Sequence, residues 1–110
     1  MKLQSFYLAA FFMCLFVLKN QAYDVTISQK VDAFCRIWIE DVNNNRIGGD
    51  GSYHGCGSGD TRHIDFGNQQ YYIYAKVDGS FEKQKRRGPF DGDHFCSIHG
   101  EVDSWGFDCN

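Results

Sequence analysis

The chain has 110 residues, with 11 lysines and arginines against 14 aspartates and glutamates and a net charge of −3. This length accommodates one small domain. The acidic balance excludes nonspecific coating of nucleic acid or of anionic membrane, both of which need excess positive charge.

Met1-Lys2 is followed by an apolar run from Phe6 to Leu18 (FYLAAFFMCLFVL) and then by the polar Lys19-Asn20-Gln21-Ala22. A basic start, an apolar stretch and a small residue at the junction predict a signal peptide over 1–22, cut after Ala22. The run is shorter than the roughly 18 to 20 apolar residues that cross a bilayer, and no second run follows, so no membrane span is expected. Secretion to the extracellular space follows from this reading. Residues 23–110 are then the working domain, more acidic still because Lys2 and Lys19 leave with the leader. No Asn-x-Ser/Thr sequon occurs, so no N-glycan is expected.

A domain of this size buries only about two thirds of its unfolded surface and needs covalent help. Cys14 leaves with the leader, and Cys35, Cys56, Cys96 and Cys109 remain to form two disulfides outside the cytosol. Of three possible pairings the spacing favours Cys35–Cys56 with Cys96–Cys109, the crossed arrangements staying open.

Apolar residues in the domain alternate or run in short blocks and hold no helical period, which predicts an all-β fold. Tyr23 to Gln29 is a first strand with Tyr23, Val25 and Ile27 on one face. Ala33 to Asp41 is a second, with Cys35, Ile37 and Ile39 on one face and Phe34, Arg36 and Trp38 on the other. The bulk on both faces marks an inner strand. Asn43-Asn44-Asn45 predicts a turn. The stretch Gly48 to Asp60 (GGDGSYHGCGSGD) is glycine-rich, and Thr61 to Gly67 alternates again, with Arg62, Ile64 and Phe66 sharing a face. Tyr71, Ile73, Ala75 and Val77 share the core face of the next strand. Asp78-Gly79 predicts a type I′ turn, from which a charged edge strand returns. His94 to Val102 is a late strand with Cys96 and Ile98 inward, and Cys109 stitches down the tail. Seven or so short strands at this spacing predict a single-domain antiparallel β-sandwich or small barrel.

Asp41, Asn43 and Asn45 have the alternating oxygen ligands that begin an EF-hand loop, and Asp50 lies nearby. Arg46 stands where that loop needs glycine, and Ser52 where it needs a bidentate glutamate. Calcium on Asp41, Asn43, Asn45 and Asp50 is therefore the weaker expectation, and no other cofactor is expected. The stronger one is a connection in which glycines allow positive φ beside a disulfide at Cys56.

Four histidines are present. His94 and His99 are an odd number of residues apart on one strand, so they face opposite ways and do not share a metal. His63 or His94 with Asp65, Asp93 or Glu101 would make a general acid/base pair if the fold brought them together. No GxSxG elbow exists, and the paired cysteines leave no free nucleophile. Lys83 to Gly88 (KQKRRG) is the only basic cluster; a solvated edge is preferred over a polyanion site, a nuclear address or a dibasic cut at Arg86-Arg87. Tyr72 and Tyr74 share a face with Lys76, opposite the core. They are either an aromatic ledge for a sugar or protein partner, or are covered by the second sheet.

A leader followed by one acidic, four-cysteine β-domain resembles the small cysteine-rich secreted proteins that microbes, fungi especially, release toward hosts or competitors. The resemblance is one of layout and transfers no functional residue. It implies an effector-like recognition module engaging a protein or glycan through loops or the Tyr72/Tyr74 face. The alternative is a small secreted hydrolase of nuclease type using a His/carboxylate pair. A membrane-active toxin would need an exposed amphipathic segment, which the sequence does not contain.

Overall fold

A computed structural model describes residues 22–57 and 59–110. The expected leader, apart from Ala22, lies outside the described residues. The domain is all-β, and nine strands build it: β1 (Tyr23–Val31), β2 (Phe34–Asp41), β3 (Arg46–Gly49), β4 (His54–Gly55), β5 (Thr61–Phe66), β6 (Tyr71–Val77), β7 (Lys85–Phe90), β8 (His94–Glu101) and β9 (Ser104–Cys109). They form a sandwich of a four-stranded sheet, β5-β1-β8-β9, and a five-stranded sheet, β3-β2-β6-β7 with β4 also on β2. Among the described residues no helix is long and apolar enough to cross a membrane.

Period-two alternation fills the space between the sheets. Val25, Ile27 and Val31 of β1, Ile64 and Phe66 of β5, Ile98 of β8 and Trp105 and Phe107 of β9 meet Ile37, Ile39, Tyr71, Ile73, Ala75 and Val77 of the other sheet, all buried. Burying these side chains is the main force that holds the sheets together. Tyr71 is fully buried, and its hydroxyl donates to the Gly92 carbonyl at 2.6 Å.

Two details differ from the sequence expectation. The ladder between β1 and β8 is parallel, running from Val25↔His94 to Val31↔Gly100, while the other pairings are antiparallel. Six strands, of which β5 pairs with the other edge of β1, separate β1 from β8 along the chain, and no local signal encodes that pairing. The turn after β6 is also not type I′, which needs positive φ at both central residues. Gly79 has φ 77°, but Asp78 does not share it. The Asp78 N–H instead donates to the Phe34 carbonyl at 2.9 Å, and β7 begins only at Lys85.

The sides of the sandwich are closed by different means. Where β3 meets β5, a Cβ on Gly48 would stand 3.2 Å from Ile64 Cγ2, so a bare backbone permits the contact. Gly49, at φ 84°, would place a Cβ 2.6 Å from the Ile37 carbonyl oxygen, and a side chain is excluded there. On the other side Lys85 lies 4.4 Å from the Trp105 ring and Arg87 5.9 Å from the Phe107 ring, their stems covering the gap between β7 and β9. The basic cluster is therefore divided: Lys85 and Arg87 are half-buried on the edge strand β7, and Lys83 and Arg86 are exposed.

The disulfides are Cys35–Cys56 and Cys96–Cys109, with Cα atoms 5.9 and 4.1 Å apart. The second joins directly opposed residues of β8 and β9 and anchors the last strand. Its sequence separation of 13 corresponds to a loop-entropy stabilisation of roughly 3 kcal/mol. A Cys96→Ala/Cys109→Ala variant is accordingly expected to lose that amount in chemical denaturation, with a steeper dependence on denaturant because the uncrosslinked unfolded chain exposes more surface.

Candidate functional site

Alternation along β2 and β6 sends Arg36, Trp38 and Glu40, and Tyr72, Tyr74 and Lys76, to the outside of the five-stranded sheet. The register pairs Arg36 with Lys76, Trp38 with Tyr74 and Glu40 with Tyr72. The Trp38 and Tyr74 rings stack at 5.3 Å and 12°. The Arg36 guanidinium lies 4.2 Å from the Trp38 ring and that of Arg86 4.7 Å from Tyr72. Trp38 Nε1 donates to Glu40 at 2.7 Å. Trp38 and Tyr74 are only 5% and 7% exposed although the other sheet lies behind them. They bury each other under charged side arms. Of the two expected tyrosines, Tyr74 is therefore closed into the stack and Tyr72 is half-buried beneath Arg86.

Beside this stack a groove of about 420 Å³ is lined by Arg36, Trp38, Tyr53, Lys76, Lys83 and Gln84. Tyr53 is 42% exposed. Lys76 Nζ is fixed by the Ser80 and Glu82 carbonyls, and Arg36 Nε donates to the Asp50 carbonyl at 3.0 Å. Two cations are thus held in place at its wall, and Lys83 is exposed at its rim. The sequence does not assign Tyr53 and Arg36 to a site and offers Lys83 only within the basic cluster, with a polyanion site as the less favoured reading, because the three come from separate segments.

The calcium candidates are not gathered. Asp41 Oδ1 accepts the N–H groups of Asn43 and Asn45 at 2.9 and 3.0 Å in a turn where Asn44 has φ 66°. Those backbone bonds, Asn45's first, hold the carboxyl below its ordinary range. Asp50 instead sits beside Ile37, whose N–H donates to its Oδ2 at 2.9 Å. Four residues along β2 separate the two sites, roughly 13 Å.

Asp50 is 8% exposed and is the buried centre of a polar cluster whose outer members, His54 and Arg62, are half-buried. Its Oδ1 pairs with Arg62 and its Oδ2 lies 3.0 Å from His54 Nδ1. The other ring nitrogen of His54, Nε2, lies 2.5 Å from Gln29 Oε1, 3.4 Å from Cys56 Sγ and 4.0 Å from Cys35 Sγ. Desolvation lowers the His54 pKa, against the pull of Asp50 and with the help of Arg62. The glycine-rich stretch is thus a connection pinned by a disulfide and an internal ion pair.

On the outside of the four-stranded sheet, His63 Nδ1 lies 3.3 Å from Asp24 Oδ2 and 3.2 Å from Thr26 Oγ1. The Asp24 N–H donates to Asp93 Oδ1 at 2.8 Å, and Asp65 is the cross-strand neighbour of Asp24. An open groove of about 410 Å³ is lined by Asp24, Thr26, Asp93, His94, Phe95 and Asn110. His94 Nδ1 faces the Asn110 backbone oxygen. His63, Asp65 and Asp93 thus gather around Asp24, whereas His94 turns to the side of Cys96 and Ile98 with its ring 4.1 Å from that of Phe90, and Glu101 lies at the opposite end of β8, across from Ser104. His99 Nε2 meets Asp108 at 2.8 Å, a hydrogen bond that lowers the Asp108 pKa.

No protein-family model matches this chain, and no curated protein matches it in sequence. Solved structures share its fold. The human-specific toxin intermedilysin superposes with a TM-score of 0.53 at 12% identity over 82% of this chain and 23% of the toxin. Pneumolysin gives 0.52 at 8% identity over 82% and 23%, and listeriolysin O 0.50 at 14% over 82% and 22%. The chain spans about a quarter of the length of these proteins, and the likeness is one of fold.

The His54 environment sets a pH dependence. Because its folded pKa is lowered, the unfolded chain takes up a proton first as pH falls below its ordinary value near 6.5. Stability is full above that pH and declines until the folded pKa is reached. The melting temperature of the oxidised protein is expected to fall between pH 7.5 and 5, and a His54→Gln variant to flatten this part of the curve.

Proposed function

We propose that this protein is a secreted, disulfide-stabilised recognition module of effector-like type, and that its ligand seats in the groove between Arg36, Tyr53, Lys76 and Lys83. Export is supported by the apolar run from Phe6 to Leu18 and by the two disulfides. The observation that carries the binding reading is the held basic-aromatic wall: Arg36 stacked on Trp38, itself stacked on Tyr74, in a protein of net charge −3. Side chains already fixed by stacking and hydrogen bonds lose little entropy on binding. Positive charge beside an exposed tyrosine suits a ligand that offers both negative groups and an apolar ring face. Of the two expected partner classes, a glycan bearing carboxylates or sulfates fits best, and an acidic protein surface is the other.

Titration calorimetry against a polyuronate, a sulfated polysaccharide and a neutral polysaccharide tests this. Binding is expected to the charged glycans only, to weaken with salt, and to weaken at least tenfold in Tyr53→Ala and in Lys83→Ala. Equal affinity for the neutral polymer, or no effect of either substitution, would overturn it. Binding to an acidic protein with the same substitution pattern would move the assignment to the other partner class.

A second reading, a small hydrolase using a His/carboxylate pair, is supported by His63 against Asp24 beside Asp93 and His94. Turnover of RNA or of a glycoside that disappears in His63→Ala would establish it. Against a phosphodiester stands the lining of this groove, which holds two aspartates and no lysine or arginine.

A further inference from the structure

We propose that the Cys35–Cys56 end of the sandwich has a second, reduced form in which the two thiolates and His54 Nε2 bind a zinc ion. This inference does not depend on what the groove recognises. Among the described residues, Cys35, His54 and Cys56 bring their donor atoms within 4.8 Å of one another. Tetrahedral zinc, with Zn–S of about 2.3 Å and Zn–N of about 2.0 Å, sets neighbouring sulfur and nitrogen ligands roughly 3.6 Å apart. His54 Nε2 already stands 3.4 Å from one sulfur and 4.0 Å from the other. The two sulfurs would have to separate, to roughly 3.8 Å, and Gln29 Oε1, now 2.5 Å from Nε2, to draw back from the histidine. With Cα atoms 5.9 Å apart, side-chain rotation accomplishes this.

The surroundings are those of a metal-bound histidine. Asp50 accepts only and lies 3.0 Å from Nδ1, so a hydrogen held there leaves Nε2 as the ligand atom on the side of the sulfurs, where Gln29 Oε1 at 2.5 Å and Arg62 Nη1 at 3.1 Å have to give way to the metal. A carboxylate behind the imidazole is the usual outer partner of a zinc histidine. Asp50 is itself held by the Ile37 N–H and by Arg62. Gln29 Oε1, buried and 3.4 Å from Cys56 Sγ, borders the site and would supply the fourth ligand on withdrawing from Nε2. The charges also close. Two thiolates neutralise Zn²⁺, and Asp50 neutralises Arg62, so the buried site carries no net charge, whereas two bare thiolates there would each be costly. Cys96 and Cys109 have no such histidine: His94 faces the Asn110 oxygen and His99 faces Asp108.

The step balances as follows. A dithiol reductant gives two electrons and two protons to the Cys35–Cys56 bond and is itself oxidised to a disulfide, leaving two thiols. Zn²⁺ then displaces the two thiol protons, while His54 contributes its Nε2 lone pair once Gln29 and Arg62 draw back from that nitrogen. The glycine-rich connection is thereby pinned in a reducing environment by metal, and in an oxidising one by sulfur.

The test uses the folded protein reduced by a phosphine and titrated with Co²⁺ and then Zn²⁺. The expected result is one Co²⁺ bound per chain with a sulfur-to-cobalt charge-transfer band and a tetrahedral ligand-field spectrum, displaced by Zn²⁺, and no binding by the oxidised protein. The Cys96→Ala/Cys109→Ala variant should retain the site. His54→Ala should lower zinc affinity at least a hundredfold, and Asp50→Asn ten- to a hundredfold. A reduced wild-type chain that keeps its β circular dichroism but shows no thiolate–cobalt band would overturn the proposal. So would undiminished affinity in His54→Ala, or loss of the site with Cys96 and Cys109.

Discussion

The alternation that puts Ile64 and Phe66 of β5 into the core also turns Arg62 inward, and the structure depends on how that charge is met. Arg62 keeps part of its side chain in solvent, and its guanidinium is met on the protein side by the buried carboxylate of Asp50. Asp50 supplies it from the glycine-rich connection, and in doing so fixes the connection's course. Its side chain binds the β2 backbone at Ile37, its carbonyl holds Arg36 against Trp38, and its second oxygen orients His54 toward the disulfide. One ion pair thus links the core, the basic wall of the groove and the sulfur cluster. This also accounts for the glycines. Asp50 reaches Arg62 because Gly49 crosses the β2 backbone at a distance no side chain tolerates.

How much of this was legible in the sequence depends on whether the cause is local. The inner faces of β1, β2, β6 and β8 follow from period-two alternation, and they are where the residues predicted them: Ile37 and Ile39 inside, Arg36 and Trp38 outside. The disulfide pairing follows because both loops are short. The glycine-rich stretch hides β3 and β4, four and two residues long, since strands that short leave no alternation to read. The parallel β1–β8 ladder has no sequence mark because the partners are separated by nearly the whole domain. Asp78-Gly79 carries a hairpin signature, but the Asp78 N–H has a better partner in the Phe34 carbonyl, and tertiary bonding overrides the turn.

The candidate site shows the same division. Tyr72 and Tyr74 could be placed on one face from their spacing with Lys76, but their fate depended on Trp38, which only the register of β2 against β6 brings alongside. Stacking removed Tyr74 from the surface and left the groove to Tyr53, a loop residue with no periodic signal. Asp41, Asn43 and Asn45 looked like the start of a cation loop because the residues that ligate through side-chain oxygen are also the ones that bond backbone amides in turns. Here the amides of Asn43 and Asn45 take the Asp41 carboxylate.

The two outer faces differ in charge in a way that bears on recognition. Asp24, Asp65 and Asp108 lie on the outside of the four-stranded sheet, and Arg36, Lys76 and Arg86 on the outside of the other. Packed sheets stand about 10 Å apart, and side chains on both sides extend that separation. At physiological salt the screening length is about 8 Å, so a ligand at the groove feels little of the acidic face. The net charge of the protein therefore does not oppose an anionic ligand at close range. At longer range the asymmetry acts as a dipole that turns the groove toward such a ligand before contact. Composition alone, which reads the chain as acidic, averages over this division; only the pairing of β2 with β6 and of β1 with β5 and β8 shows that one sign predominates on each face, with Lys30 and Glu40 as the minority charges.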